Sequence, residues 1–177
     1  MRISAGKYKG RKLFFPKNVK ELRPTTAKVK EAVFSMLYDR VIDARFLDLF
    51  AGVGNIGFEA LSRGAAEVYF IDCEPSFIFK NAQELACLDK VKIYKNFADK
   101  AVKIMANHGE KFDIIFIDPP YADGLLEDSL NKLFHFDILN SRGCLVIETD
   151  KNTAVKTNFR LVKEKVYGQT KIIFLER

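Results

Sequence analysis

The chain has 177 residues, 48% of them hydrophobic and 29% charged, with a formal net charge of +6, which describes one globular domain with a substantial core. No apolar run is long enough to cross a bilayer, and the opening Met1-Arg2-Ile3-Ser4-Ala5-Gly6-Lys7 lacks the apolar centre of a signal peptide, so the expectation is a cytoplasmic protein with no membrane contact. Cys73, Cys87 and Cys144 are widely spaced, form no CxxC and are joined by only two histidines, His108 and His135; zinc and iron–sulfur spacings are excluded and no metal is expected.

The positive charge is concentrated at one end. Residues 1–30 carry ten Lys/Arg against a single acid, Glu21, so the excess there is +9 and the rest of the chain is weakly acidic. Around Lys9-Gly10 the cations alternate with Tyr8, Leu13, Phe14 and Phe15 in a strand-like pattern. This predicts a short hairpin with basic and aromatic side chains facing outward, suited to a phosphate backbone. A basic amphipathic helix would suit a membrane better, and this stretch is not helical in pattern. The expected organisation is a basic arm over residues 1–25 and one further domain over residues 26–177. Candidate nucleic-acid contacts are Arg2, Lys7, Lys9, Arg11, Lys12, Arg23, Thr25 and Thr26.

Arg23-Pro24-Thr25-Thr26 precedes a run with apolar residues at helical spacing (Val29, Val33, Met36, Leu37), and a Thr there suits an N-cap. Strands and helices then alternate. Strands are expected at 46–50, 67–71, 91–94, 112–117 and 144–148, with helices at 56–63, 76–88, 98–107 and 125–134. Residues 160–167 and 171–175, split by Gly168-Gln169, read as an antiparallel hairpin. The pattern predicts an α/β fold: a doubly wound, mostly parallel seven-stranded sheet closed by that hairpin.

The first strand runs into Asp48-Leu49-Phe50-Ala51-Gly52-Val53-Gly54-Asn55-Ile56-Gly57, a G-x-G-x-x-G between strand and helix, and Asp72 follows Gly52 by twenty residues. This also fits a dinucleotide fingerprint, so a nicotinamide-dependent oxidoreductase is a competing reading. Asp48 weighs against it. An anion is awkward beside a pyrophosphate, but natural beside S-adenosylmethionine, which carries an ammonium and a sulfonium. Asp118-Pro119-Pro120-Tyr121 closes the apolar run at 112–117. Proline restricts the loop and carries no N–H. Asp118 and the Pro119 carbonyl form an acceptor pair for an exocyclic base amine, and Tyr121 offers a ring for an unstacked base. That set suits methyl transfer to such an amine. Asp118 needs no raised pKa for this, because the amine proton becomes acidic only as the new bond forms.

Arg2-Ile3-Ser4-Ala5-Gly6-Lys7-Tyr8-Lys9-Gly10-Arg11-Lys12-Leu13, Arg23-Pro24-Thr25-Thr26, the glycine loop, Glu59-Ala60-Leu61-Ser62-Arg63-Gly64-Ala65 and Asp118-Pro119-Pro120-Tyr121 occur in that order. Together they resemble the RsmD family of 16S rRNA guanine-N2 methyltransferases across essentially the whole chain. The resemblance implies a class I methyltransferase sheet, S-adenosylmethionine as donor, and a guanine of small-subunit 16S rRNA in an assembling particle as acceptor. It implies that Asp48, Phe50, Gly52, Gly54 and Asn55 surround the methionine moiety. Asp72 would hold the ribose hydroxyls beside Cys73, Phe97 and Ala98 would lie at the adenine, and Asp118, Pro119, Pro120 and Tyr121 would carry catalysis. A monomer is expected. An adenine-N6 methyltransferase shares the Asp-Pro-Pro-Tyr chemistry and is the alternative nearest in mechanism.

Overall fold

The computed structural model describes residues 1–16, 26–120 and 124–177. Arg23, Thr25 and Tyr121, three of the candidate site residues, lie outside the described residues.

Helices α1 (Ala27–Leu37), α2 (Asn55–Ser62), α3 (Ser76–Glu84), α4 (Ala98–Asn107) and α5 (Leu125–Phe136) surround seven strands: β1 (Arg45–Asp48), β2 (Glu67–Asp72), β3 (Val91–Lys95), β4 (Phe112–Ile117), β5 (Leu139–Asp150), β6 (Arg160–Tyr167) and β7 (Thr170–Glu176). The sheet order is β3-β2-β1-β4-β5-β7-β6. The first five strands are parallel, and β7 pairs antiparallel with β5 and β6. The chain order reverses between β1 and β4, which opens a crevice at their carboxyl ends, the usual ligand position in such sheets.

Pleat alternation divides the core. Phe46, Phe70, Phe116 and Val146 face α1, α2 and α3, whereas Leu47, Ile71, Ile117 and Ile147 face α4 and α5. Both faces of the parallel strands are covered, which explains their near-continuous apolar sequences. Thr26 caps α1, its hydroxyl accepting the Val29 amide at 3.3 Å.

Among the boundaries that differ from the sequence expectation, three are informative. β1 ends at Asp48, not Phe50, because the chain leaves the ladder there: Leu49 still donates to Phe116 O, and Ala51 then crosses to Ile71 O. α3 stops at Glu84, and the turn that follows places Ala86 at a positive φ of 50°. β5 begins at Leu139, not Cys144. Its turn-like start, Asn140-Ser141-Arg142-Gly143, is held alongside β4 by Leu139 pairing with Phe112 and by the Asn140 amide donating to Asp113 at 2.6 Å.

The N-terminal hairpin forms as expected, with Arg2 and Lys12 bridged antiparallel and Phe14 exposed, but its facing is corrected at Tyr8. Tyr8 and Leu13 point inward and, with Ile3, join the core on the α1–α2–α3 face. Burying these apolar groups outweighs the strand-like alternation that put aromatic rings outside. Lys7, Lys9, Arg11 and Lys12 remain exposed.

Candidate active site

Asp48 ends β1, and Gly54 begins α2 in the left-handed region at φ +83°. The fully buried Asp48 carboxylate accepts the Gly57 amide at 2.9 Å, capping the first turn of α2. Gly57 also lets α2 lie close on β2, since a Cβ there would stand 2.2 Å from the Phe70 ring. Burial raises the Asp48 pKa to about 7; the Gly57 N–H opposes the rise and the charge of Asp72 adds to it.

Asp72 ends β2. Its Oδ2 accepts the Gly52 amide at 2.7 Å and its Oδ1 accepts the Glu74 amide at 2.8 Å. One carboxylate thus ties the glycine loop to the β2 terminus, and each oxygen retains a lone pair for a further donor. Phe50 and Gly52 are partly exposed, and Cys73 is exposed with its thiol against Asn96 O. At the end of β3 the Phe97 ring is 61% exposed, while Ala98 packs beneath as the first residue of α4. An exposed aromatic ring just beyond the strand paired with Asp72 suits a flat heterocycle.

Asp118 stands one residue beyond β4, with Pro119 buried and Pro120 exposed. The residue is partly exposed, yet its carboxyl group is surrounded by protein, and its pKa is raised well above the usual range. Burial is the main cause, followed by the charges of Glu148 and Asp48. Glu148, near the end of β5, is 6% exposed. It escaped sequence reading because it lies inside a strand rather than in a motif. Ile117 pairs with Ile147, so Asp118 and Glu148 occupy matching positions on neighbouring strands. By pleat alternation Asp48, Asp118 and Glu148 all lie on the α1–α2–α3 face. Asp48 and Asp118 in these surroundings, with Glu148 beside them, resist being ionised together, and a cation there would lower the Asp48 and Asp118 pKa values.

A second cluster sits beside the first. Lys30, on α1, is buried, and its Nζ donates to Glu59 (2.9 Å), Arg2 O (2.7 Å) and Asn55 Oδ1 (3.2 Å). It therefore leaves the basic surface to which its position in the sequence assigned it. Glu59 is fully buried and also accepts from Ser4 N, Ser4 Oγ, Ala5 N and Arg63. Burial pushes its pKa up, but Lys30 and Ser4 outweigh this and hold it below the usual value. Tyr8 N donates to Ser62 Oγ, and Asn81 bridges Phe14 to Val53 O in the glycine loop. Arg11 reaches Glu84 O, and Arg2 closes the hairpin on Gly10 O. The hairpin is thus seated on α2 and α3, directly behind the glycine loop. Thr26, proposed for nucleic acid, is engaged in its helix cap. A cleft of about 490 Å³ among Gly6, Phe34, Tyr38, Ile42 and Arg63 gathers around the chain entering β1, at the amino end of the sheet, and contains none of the candidate residues.

Comparison with known proteins agrees with this geometry. The chain is 36% identical over 172 residues to the ribosomal RNA small subunit methyltransferase D of Escherichia coli strain K12, covering 96% of this chain and 86% of that one. It is 35% identical over 173 residues to the protein of the same name from Haemophilus influenzae, covering 95% and 89%. The solved structure titled "Putative methyltransferase yhhF from Escherichia coli" superposes with a TM-score of 0.88 at 34% identity, covering 100% of this chain and 97% of that one. The family model described as "Conserved hypothetical protein 95" matches residues 1–176, and the chain belongs to that family, the RsmD family of class I methyltransferase fold.

Proposed function

We propose that this protein transfers a methyl group from S-adenosylmethionine to the exocyclic N2 of a guanine in small-subunit rRNA. The observation that carries the reading is the pairing across the β1/β4 crevice of a buried Asp48, which calls for a cationic ligand, with Asp118 at the head of Asp-Pro-Pro. The names of the relatives at 35–36% identity supply the rRNA. The residues fit the donor: Asp48 faces its ammonium and sulfonium, Asp72 its ribose hydroxyls, and Phe97 its adenine, while the orphaned Asn55 amide and the glycine loop receive the remainder. A dinucleotide fits less well, because its pyrophosphate would meet Asp48 and further raise an already elevated pKa.

S-adenosylmethionine supplies an electrophilic methyl group on a sulfonium cation. The chain's own residues do the rest. Asp118 and the Pro119 carbonyl accept the amine hydrogens and aim the nitrogen lone pair along the line of displacement. Tyr121 stacks on the unstacked base. Because the donor's positive charge favours the ionised carboxylates, Asp118 is an acceptor in the loaded site and takes the proton released as the N–C bond forms. Positioning and charge placement provide most of the acceleration. Lys7, Lys9, Arg11 and Lys12 hold the RNA through its phosphates.

The test is tritiated methyl transfer into small-subunit particles lacking the modification, with naked 16S rRNA and duplex DNA alongside, followed by nucleoside mass spectrometry. N2-methylguanosine that disappears with Asp118→Ala is the expected product. Label in adenine would move the activity to the N6 class, and no label with folded protein would overturn the reading.

A further inference from the structure

Asn55 is the first residue of α2; the residue is 7% exposed and its amide nitrogen is closed off from solvent. Its orientation is fixed chemically. Lys30 Nζ has hydrogens to give and no lone pair to receive one, so the amide must turn its oxygen toward Lys30 and its NH2 away. Lys30 has three donors, and they meet three acceptors: Glu59, Arg2 O and Asn55. The NH2 on the other side has no partner among the described residues, and no other buried side-chain nitrogen or oxygen there is left so. An orphaned buried donor is costly, and a ligand acceptor that reaches it removes that cost.

The ligand group must be an acceptor, and a helix N-terminus favours an anion. Of the donor's polar groups, the ammonium and sulfonium cannot accept, and the ribose belongs to Asp72 across the loop. The carboxylate of its methionine moiety is the anion that remains. We propose that Lys30 is a positioning residue, fixing the Asn55 amide so that its NH2 receives that carboxylate. Asp48 and Asn55 then read the two ends of one zwitterion from either side of the glycine loop. The inference rests on the donor assigned above.

S-adenosylhomocysteine and the same thioether without its carboxylate are titrated calorimetrically into the full-length protein and its variants. The wild type should prefer the carboxylated ligand. Asn55→Asp, which preserves the acceptor for Lys30, and Asn55→Ala, which adds no charge, should each weaken S-adenosylhomocysteine about 10- to 100-fold. Both should change the decarboxylated ligand less than about threefold on the same scale. A loss of equal size on both ligands, or a loss with Asp alone, would overturn the amide's role. Lys30→Met and Lys30→Arg test the positioning: each should reduce the preference for the carboxylate, and full retention of it by the folded Lys30→Arg protein would remove Lys30 from the role. A wild type that binds neither ligand would instead sink the donor assignment itself.

Discussion

The Asp48 carboxylate accepts the Gly57 amide at 2.9 Å, so the group proposed to face the donor also caps the helix that follows the glycine loop. Its pKa is raised to about 7, above its unfolded value near 4. Between those two values the folded state binds more protons than the unfolded state, so this group's contribution to stability declines as pH rises from about 4 to about 7. Asp48→Asn keeps an acceptor for Gly57 and removes the ionisation. Chemical denaturation of the donor-free protein should find the variant more stable than wild type at pH 8, by about 2–4 kcal/mol, with the gap closing toward pH 5. A gap that does not vary with pH would show that Asp48 is not the titrating group. The lowered carboxyls, such as Glu59, act in the opposite sense and below this window, as pH falls toward their folded values.

Asp72 ties Gly52 to β2 at 2.7 Å and is also the residue proposed to face the donor's ribose. Asp72→Ala should therefore weaken donor binding by roughly 10- to 100-fold, with a smaller effect on kcat at saturating donor. Equilibrium titration with S-adenosylhomocysteine checks this, and unchanged affinity would take Asp72 out of the site.

Asp118→Asn keeps one carbonyl acceptor but cannot take the released proton. A fall in kcat of about 100-fold or more is expected, with donor affinity within a few-fold of wild type. Loss of donor binding with retained turnover would invert the roles of Asp118 and Asp48.

Glu59 holds Lys30, Ser4, Ala5 and Arg63 without exposure to water. Glu59→Gln leaves the Lys30 ammonium buried without its counter-charge and should cost about 3–5 kcal/mol. Gly6→Ala should loosen the hairpin through a different route, because its Cβ would lie 1.7 Å from Ser62 O at a φ of +76°. Hydrogen exchange should show the amides of Ile3 and Gly10 losing protection in both variants, and protection equal to wild type would refute the seating.

The exposed cations of the hairpin should give salt-dependent RNA binding. With about four to six phosphate contacts, the slope of log K against log salt is roughly −3 to −5. Replacing Lys7, Lys9 and Lys12 by Ala should make the slope shallower by about 2–3 while leaving thermal stability within a degree or two of wild type. Binding indifferent to salt would remove the hairpin from the RNA interface.

The alternation of strands and helices and the acids at the strand ends were legible because both depend on local pattern. A short, mostly apolar stretch that ends in Asp48, Asp72 or Asp118 announces a buried strand and a polar crevice at once. The seating of the hairpin was not legible, because its partners are distant along the chain. Lys30 looks like one more cation of a basic arm until Glu59 comes to meet it. Tyr8 alternates with lysines as an outward residue would, yet it becomes core once α2 brings Ser62 to its amide. Glu148 resembles any strand acid, and only the β4–β5 register sets it beside Asp118. Long-range pairing, not propensity, decides all three.

The bond from Ser4 to Glu59 spans 55 residues of sequence, and this separation orders events as the chain is made. The hairpin is synthesised first, but it has nowhere to dock until α2 exists to receive it. Closing so large a loop is entropically unfavourable until the surrounding core begins to form. A partly made chain thus carries its lysines on an unanchored strand. The ordered cationic face arises together with the helix behind the glycine loop, so the surface proposed for RNA matures with the pocket proposed for the donor.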